Sequence, residues 1–265
     1  MLRIKSRLER FLVRLFYGQT VKYHGLDRSE SMKPESYSEK QTIVSFQRLA
    51  LVTVALPLFG FAFCVFWSLC FDFFESTSTH CGVSNYLPSV SASIGSFSPQ
   101  KHVWRLTIAL HSTPRYLVAF VYFKLIHYSK LLFVLNVVEI SALLGLSIVS
   151  STDNFVIHAN CFLLFISSTF CGTMIHLLDE RLWSKFKLKS YIINTLAWIL
   201  ALFFYIRHNQ YCETGVYTMF AAAEYIFVLS NMIFHFQAYY DFAELYFVTS
   251  YKDKPLENDH FKFIA

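Results

Sequence analysis

Charged residues are scarce in this sequence. They make up 15% of the 265 residues, whereas hydrophobic residues make up 55% and aromatic residues 18%. A soluble globular domain carries about 25% charged residues on average. So few charges cannot cover a water-facing surface, and the surplus apolar surface requires another solvent. The composition therefore excludes an ordinary soluble domain and predicts a membrane protein.

Standard catalytic and metal-binding motifs are also missing. The sequence has no Gly-rich phosphate loop, no H-E-x-x-H and no G-x-S-x-G. No His is followed at the fifth position by Asp, the spacing found in one large class of glycerolipid acyltransferases. We expect neither a metal nor a cofactor, because the available donors match no ligand spacing. Those donors are His80, Asp153, His158, His208 and Glu213.

The sequence does contain a series of long apolar segments. A helix needs about 20 mostly apolar residues to cross a bilayer, and lipid favours helices because they satisfy their own backbone groups. We predict an all-α fold, a polytopic membrane bundle of about six transmembrane helices. The predicted spans are residues 49–71, 103–126, 131–149, 156–178, 191–206, which is short, and 215–236.

The positions of the positive charges predict the orientation. Lys and Arg concentrate before the first span, in the loop after the fourth and in the C-terminal tail. These segments share one side of a six-span bundle, and the positive-inside rule places that side, with both termini, in the cytosol. The same distribution argues against a nucleic-acid partner despite the net charge of +5. The chain then consists of a cytosolic tail (1–44), a six-span domain (45–242) and a second cytosolic tail (243–265).

Residues 1–18 have an apolar and a basic face at helical spacing. This pattern predicts a basic amphipathic helix on the anionic cytosolic leaflet. A mitochondrial targeting helix has a similar composition, but Glu9 and the spans that follow favour the surface helix. The polar residues 26–45 are predicted to form a loose linker. The first apolar run begins only near residue 49, so we expect no cleavable signal peptide.

Two of the cysteines, Cys81 and Cys212, fall in predicted lumenal loops, while the others fall within spans. An oxidising compartment would allow these two to form a disulfide. The sequence leaves that pairing open, because it does not show whether the two residues are close. The fold of the lumenal loop 72–102 is also open, and its 83–95 stretch could include a short hairpin or a membrane-lying segment.

Ionisable residues inside spans are costly unless paired, so they are candidates for function. With a rise of about 1.5 Å per residue, Arg115, Glu139, Glu224 and His111 lie at similar depths from the lumenal side. His111 and Arg115 also share a helix face. One interpretation is an ion pair that only lets helices pack. The other is a polar pocket that opens toward the lumen and holds a lipid head group. His176 and His235 lie near the cytosolic half and are interpreted as structural.

Several long segments resemble the post-GPI attachment to proteins factor 2 family. The resemblance is clear in the lumenal loop, with H-C-G-V-S-N-Y-L-P-S-V-S-A-S-I-G, and at the start of the second span, with W-R-L-T-I-A-L-H-S-T-P-R. It extends in consistent order over roughly residues 45–242. The segments that show it are 80–95, 104–115, 135–139, 207–217, 224–225 and 231–235.

The resemblance implies a multi-pass Golgi membrane protein that remodels the lipid of GPI anchors. Members of the family are needed when a lyso-GPI intermediate receives a saturated chain at sn-2. The partners implied are lyso-GPI-anchored proteins, membrane lipid and a saturated acyl donor. Whether members catalyse the transfer or act as non-catalytic lipid-binding or presenting factors for a separate acyltransferase stays open, and the oligomeric state is unknown.

The matched segments contain the residues that such a reaction would use. Acyl transfer needs a base for the sn-2 hydroxyl and donors for the tetrahedral oxyanion. His111 is the first candidate base because imidazole titrates near neutral pH, and His208 is the second. Glu139 or Glu224 could orient the base. The candidates for binding the substrate and its phosphate are Arg105, Arg115, Arg207 and Asn85.

Overall fold

The computed structural model describes residues 39–95, 97–125, 130–179, 182–243 and 245–252. The predicted amphipathic helix over 1–18 and most of both predicted tails lie outside these residues. The chain divides into two units, Met1–Lys40 with Tyr251–Ala265, and Gln41–Ser250. The membrane bundle belongs to the second unit.

Six long helices make up the bundle over the described residues, and the prediction of an all-α polytopic membrane fold is confirmed. Shorter elements connect the long helices or flank them. In chain order the elements are β1 (Glu39–Ser45), α1 (Phe46–Phe71), α2 (Phe73–Thr77), α3 (Val90–Gly95), α4 (Gln100–Leu125), α5 (Lys130–Ile148), α6 (Phe155–Leu178), α7 (Lys185–Tyr211), α8 (Val216–Phe236), α9 (Ala238–Asp241) and β2 (Tyr246–Lys252).

Five of the long helices are long and apolar enough to cross a membrane. The sixth, α4, has 26 residues but is less apolar, because it contains Arg105, His111 and Arg115. It packs between α1 and α5, which shields part of its polar face. Many large apolar side chains on the other helices are exposed on the outside of the bundle. Such a surface fits lipid, and the protein is a multi-pass membrane protein.

The fifth predicted span is longer than expected. The prediction of a short span over 191–206 was wrong, since α7 has 27 residues. Ser184 caps its start by accepting a hydrogen bond from Lys187 N. The fully buried Lys187 ammonium donates to Leu182 O and to the Asp241 carboxylate. The helix extends past the apolar run because the charges at its ends have partners.

The 72–102 loop contains the short helices α2 and α3 and no hairpin among its described residues. A strand replaces the predicted loose linker over Glu39–Ser45, where β1 pairs with β2. We call the end of the bundle with the connections 72–99, 149–154 and 212–215 the disulfide end, because a disulfide between Cys81 and Cys212 lies there.

Helix α8 occupies a central position in the bundle. It packs against α1 and α7, and its Tyr225 and Val228 lie beside a buried cluster that includes Phe61, Trp104 and Ile108. A second buried cluster joins residues from α5, α6, α7 and α8. Helix α8 therefore lies beside both buried clusters.

Small residues let α1 approach α4 closely. A Cβ added at Gly60 would overlap Thr107 Oγ1 and lie 3.2 Å from Thr107 Cβ. Thr107 cannot rotate away without losing its hydrogen bond to Trp104 O. We expect Gly60→Ala to lower the free energy of unfolding by about 1–3 kcal/mol, as overpacked helix contacts do.

Thermal unfolding of the purified protein in nanodiscs measures this effect. Gly172→Ala is the matched control, because a Cβ there would meet its nearest atoms at 3.8 Å, an ordinary contact. It should be neutral or slightly stabilising. Equal unfolding midpoints for the two variants would contradict the close packing at Gly60.

Candidate functional site

Three ionisable side chains from three helices meet inside the bundle. Arg115 on α4 donates to Glu139 Oε1 on α5 at 3.0 Å. His235 Nε2 on α8 lies 2.9 Å from the same oxygen and 2.7 Å from Arg115 Nη2. The Arg115 and Glu139 side chains are only 8% and 5% exposed. This Arg115–Glu139–His235 cluster contains one ion pair, so its charges balance when the imidazole is neutral.

His235 Nε2 lies within hydrogen-bonding distance of both Arg115 and Glu139, but it can bond to only one of them at a time. A guanidinium group has only donors, so Nε2 accepts when it bonds to Arg115. A carboxylate accepts, so Nε2 donates when it bonds to Glu139. The cluster therefore has two hydrogen-bond arrangements, and the imidazole offers a place for an additional proton.

A small cavity of about 30 Å³ adjoins the cluster. Arg115, Glu139 and His235 line it together with Asn136 and Thr173. A buried water molecule needs roughly 10–15 Å³ of such volume, so the cavity has room for about two. It is far too small for a lipid head group. The head-group pocket predicted at this depth therefore stays a prediction.

His111 lies one helical turn from Arg115 on the same face of α4. Its side chain is buried, and its Nδ1 lies 2.6 Å from the backbone oxygen of Thr53 on α1. A carbonyl oxygen only accepts, so Nδ1 carries the proton and Nε2 has the free lone pair. A backbone carbonyl thus orients this imidazole, rather than the predicted Glu139 or Glu224.

Glu224 does not join the cluster. Its Oε2 accepts a hydrogen bond at 2.9 Å from the backbone N of Val90, the first residue of α3. The neighbouring Tyr225 hydroxyl donates to Pro88 O, and Tyr86 N donates to Thr218 Oγ1. Glu224 therefore fastens the 84–95 segment to α8, and the prediction of one polar centre that includes it was wrong.

A disulfide joins Cys81 to Cys212 and connects the 72–99 segment to the end of α7. His208 is buried beside it, with Nε2 3.1 Å from Thr79 Oγ1. Its Nδ1 has no hydrogen-bond partner among the described residues. Asn85 donates to Thr77 O and Val83 O, so its amide shapes the loop.

The two remaining candidate arginines are paired at the disulfide end. Arg105 donates to Ser147 O and to the Asp153 carboxylate. Arg207 binds Glu213 through two hydrogen bonds, of 2.7 Å from Nε and 3.0 Å from Nη2. The hydrogen bonds from Arg207 lower the pKa of the Glu213 carboxyl, so the pair is ionised at neutral pH. Neither arginine lies in the cluster with Arg115.

Sequence reasoning missed His235 as a member of the cluster. The sequence places it near the cytosolic half of its span, which favours a structural role. The end of α8 is nevertheless inside the protein, since the following residues Ala238 and Phe242 are buried. The one available signal was the position of His235 within the matched 231–235 segment.

The six-helix domain matches a known protein family. The model of the Frag1/DRAM/Sfk1/Cwh43P N-terminal domain matches residues 45–245. This range begins next to α1 and includes all six long helices. No solved structure matches the chain.

Curated relatives match over most of both chains. A Drosophila melanogaster protein named post-GPI attachment to proteins factor 2 is 44% identical in an alignment of 237 residues that covers 80% of this chain and 92% of the relative. A Xenopus tropicalis protein named acyltransferase PGAP2 is 41% identical over 79% of this chain and 92% of the relative. The chain belongs to the post-GPI attachment to proteins factor 2 family, within the wider Frag1/DRAM/Sfk1/Cwh43 group.

Proposed function

We propose that this protein remodels GPI anchors after their attachment to proteins, by reacylating lyso-GPI at sn-2 with a saturated chain. We place the reaction in the Golgi, with both termini of the protein in the cytosol. Support for this function comes from a relative named for post-GPI attachment and from another named an acyltransferase. The bundle of apolar helices supplies the lipid-embedded setting that the reaction needs.

The observation that carries the catalytic proposal is the hydrogen bond between His111 Nδ1 and Thr53 O. It fixes the imidazole ring and leaves Nε2 as a base. In the proposed reaction Nε2 takes the proton of the sn-2 hydroxyl as its oxygen attacks the acyl carbonyl. The tetrahedral intermediate then expels the leaving group of the donor, which receives the proton from the imidazolium.

One observation favours the alternative, a lipid-binding factor that presents lyso-GPI to a separate acyltransferase. Each candidate arginine already has an acidic partner, and the cavity beside Arg115 has room only for water. To bind a phosphate, any of these arginines must therefore either release its carboxylate partner or bind the phosphate and the carboxylate together.

Purified protein in nanodiscs distinguishes the two functions. We would add lyso-GPI and a labelled stearoyl donor, and follow both the binding of lyso-GPI and the appearance of labelled diacyl product. Product formation by the purified chain supports the acyltransferase. Tight binding of lyso-GPI without product, with several donor classes tried, would overturn the acyltransferase and support the presenting factor.

A further inference from the structure

An open groove of about 490 Å³ lies at the disulfide end of α7, away from the Arg115–Glu139–His235 cluster. It combines apolar, aromatic and charged side chains. The lining residues are Phe203, Ile206, Arg207, Gln210, Tyr211 and Glu213.

The apolar wall of the groove belongs to the outer surface of the bundle. Phe203, Ile206 and Tyr211 are all between 45% and 67% exposed. Exposed apolar side chains on a membrane-spanning helix face lipid chains. Tyr211 is the last residue of α7, where an amphipathic ring suits the interface between lipid and water. A bilayer lipid can therefore reach the groove without leaving the membrane.

The polar wall contains one positive and one negative group, and both remain accessible. The Arg207 and Glu213 side chains are 45% and 42% exposed. A guanidinium has five N–H donors, and Glu213 occupies two of those of Arg207. The other donors can bind a phosphate oxygen while the ion pair persists, and Glu213 can still accept from a ligand cation.

The backbone around Glu213 is held in place. Its neighbour Cys212 is bonded to Cys81. Gly215 N donates to Ser84 O, which ties the same turn to the 72–99 segment. The distance between the positive and negative groups of the groove is thus set by the fold rather than by a loose loop.

We infer that this groove binds the head group of a zwitterionic glycerophospholipid from the bilayer. The phosphate lies against Arg207, the ammonium lies against Glu213 and the ring of Tyr211, and one acyl chain lies along Phe203 and Ile206. The ion pair matches the dipole of this head group, and an aromatic ring attracts an ammonium or choline cation. An anionic lipid would meet the Glu213 carboxylate without a compensating cation.

Lipid retention tests the site without reference to acyl transfer. The protein is reconstituted in nanodiscs of equimolar phosphatidylethanolamine and phosphatidylglycerol, released into detergent, and its retained lipids are counted by native mass spectrometry. The normal protein should retain phosphatidylethanolamine in preference to phosphatidylglycerol. Arg207→Gln should reduce the retention of both lipids roughly tenfold, as expected for the loss of a charge-assisted hydrogen bond.

Glu213→Gln provides a sharper test, because misfolding would not produce its expected result. It leaves Arg207 free of its counter-charge and should reverse the preference in favour of phosphatidylglycerol. Lys101→Ala removes a positive charge at the same end of the bundle and should change nothing. If Arg207→Gln retained as much lipid as the normal protein, or if Glu213→Gln kept the preference for phosphatidylethanolamine, the proposed lipid site would be wrong. Failure of the acyl-transfer proposal alone would leave both results intact.

Discussion

Replacing His111 with asparagine is expected to lower acyl transfer by a factor of about 10²–10⁴, the usual contribution of a general base. The Asn amide nitrogen stands where Nδ1 stands and can still donate to Thr53 O, so the contact between α1 and α4 is retained. What the variant loses is Nε2, the atom with the free lone pair. The measurement is the rate of labelled diacyl-GPI formation in nanodiscs at saturating donor.

His158→Asn is the matched control for this variant. His158 Nδ1 also hydrogen-bonds a backbone oxygen, Val149 O at 2.8 Å, but the residue lies outside the proposed site. Its replacement should leave the transfer rate unchanged. If His111→Asn retained full activity while His111→Ala lost it, the hydrogen bond rather than the base would be essential, and His111 would be a positioning residue.

The second candidate base gives a separate outcome. His208 lies beside the disulfide, and its Nδ1 has no partner among the described residues. If His208→Asn abolished transfer and His111→Asn did not, the reaction would take place at the disulfide end of the bundle. That result would still support the acyl-transfer function, but it would exclude His111 as the base.

The apolar runs predicted most of the fold because lipid imposes a simple length rule on helices. Helices α1, α5, α6 and α8 each begin within a few residues of the predicted starts. The extent of α7 could not be predicted in this way. Lys187 is tolerated near its start because a tertiary contact supplies Asp241, and Arg207 near its end because Glu213 follows six residues later. The apolar pattern of the segment shows neither pairing.

The candidate site was predicted in part. Depth along each helix correctly grouped Arg115 with Glu139, since rise per residue needs no tertiary information. Depth says nothing about rotation around the helix axis. Glu224 has a suitable depth but bonds to Val90 N at the start of α3. His235 has an unpromising sequence position but enters the cluster because α8 ends inside the bundle.

Removing the charge of Glu139 is expected to destabilise the bundle by about 3–5 kcal/mol, the usual cost of breaking a buried ion pair by one partner. In Glu139→Gln the guanidinium of Arg115 stays buried without its carboxylate. Arg115→Met should destabilise by a similar amount, because it leaves Glu139 with only His235. The double variant should recover much of the loss, since no uncompensated charge remains in it.

A double-mutant cycle in nanodiscs measures this coupling as the difference in free energy of unfolding. The exposed pair Arg207–Glu213 is the control, and its removal should change stability little because solvent already screens it. Additive single effects at Arg115 and Glu139 would contradict the buried pair. The double variant also separates the two interpretations of the cluster, because it preserves packing without charge. If it folds and still transfers acyl chains, the cluster only holds α4, α5 and α8 together. If it folds without transfer, the charge beside His111 takes part in the reaction.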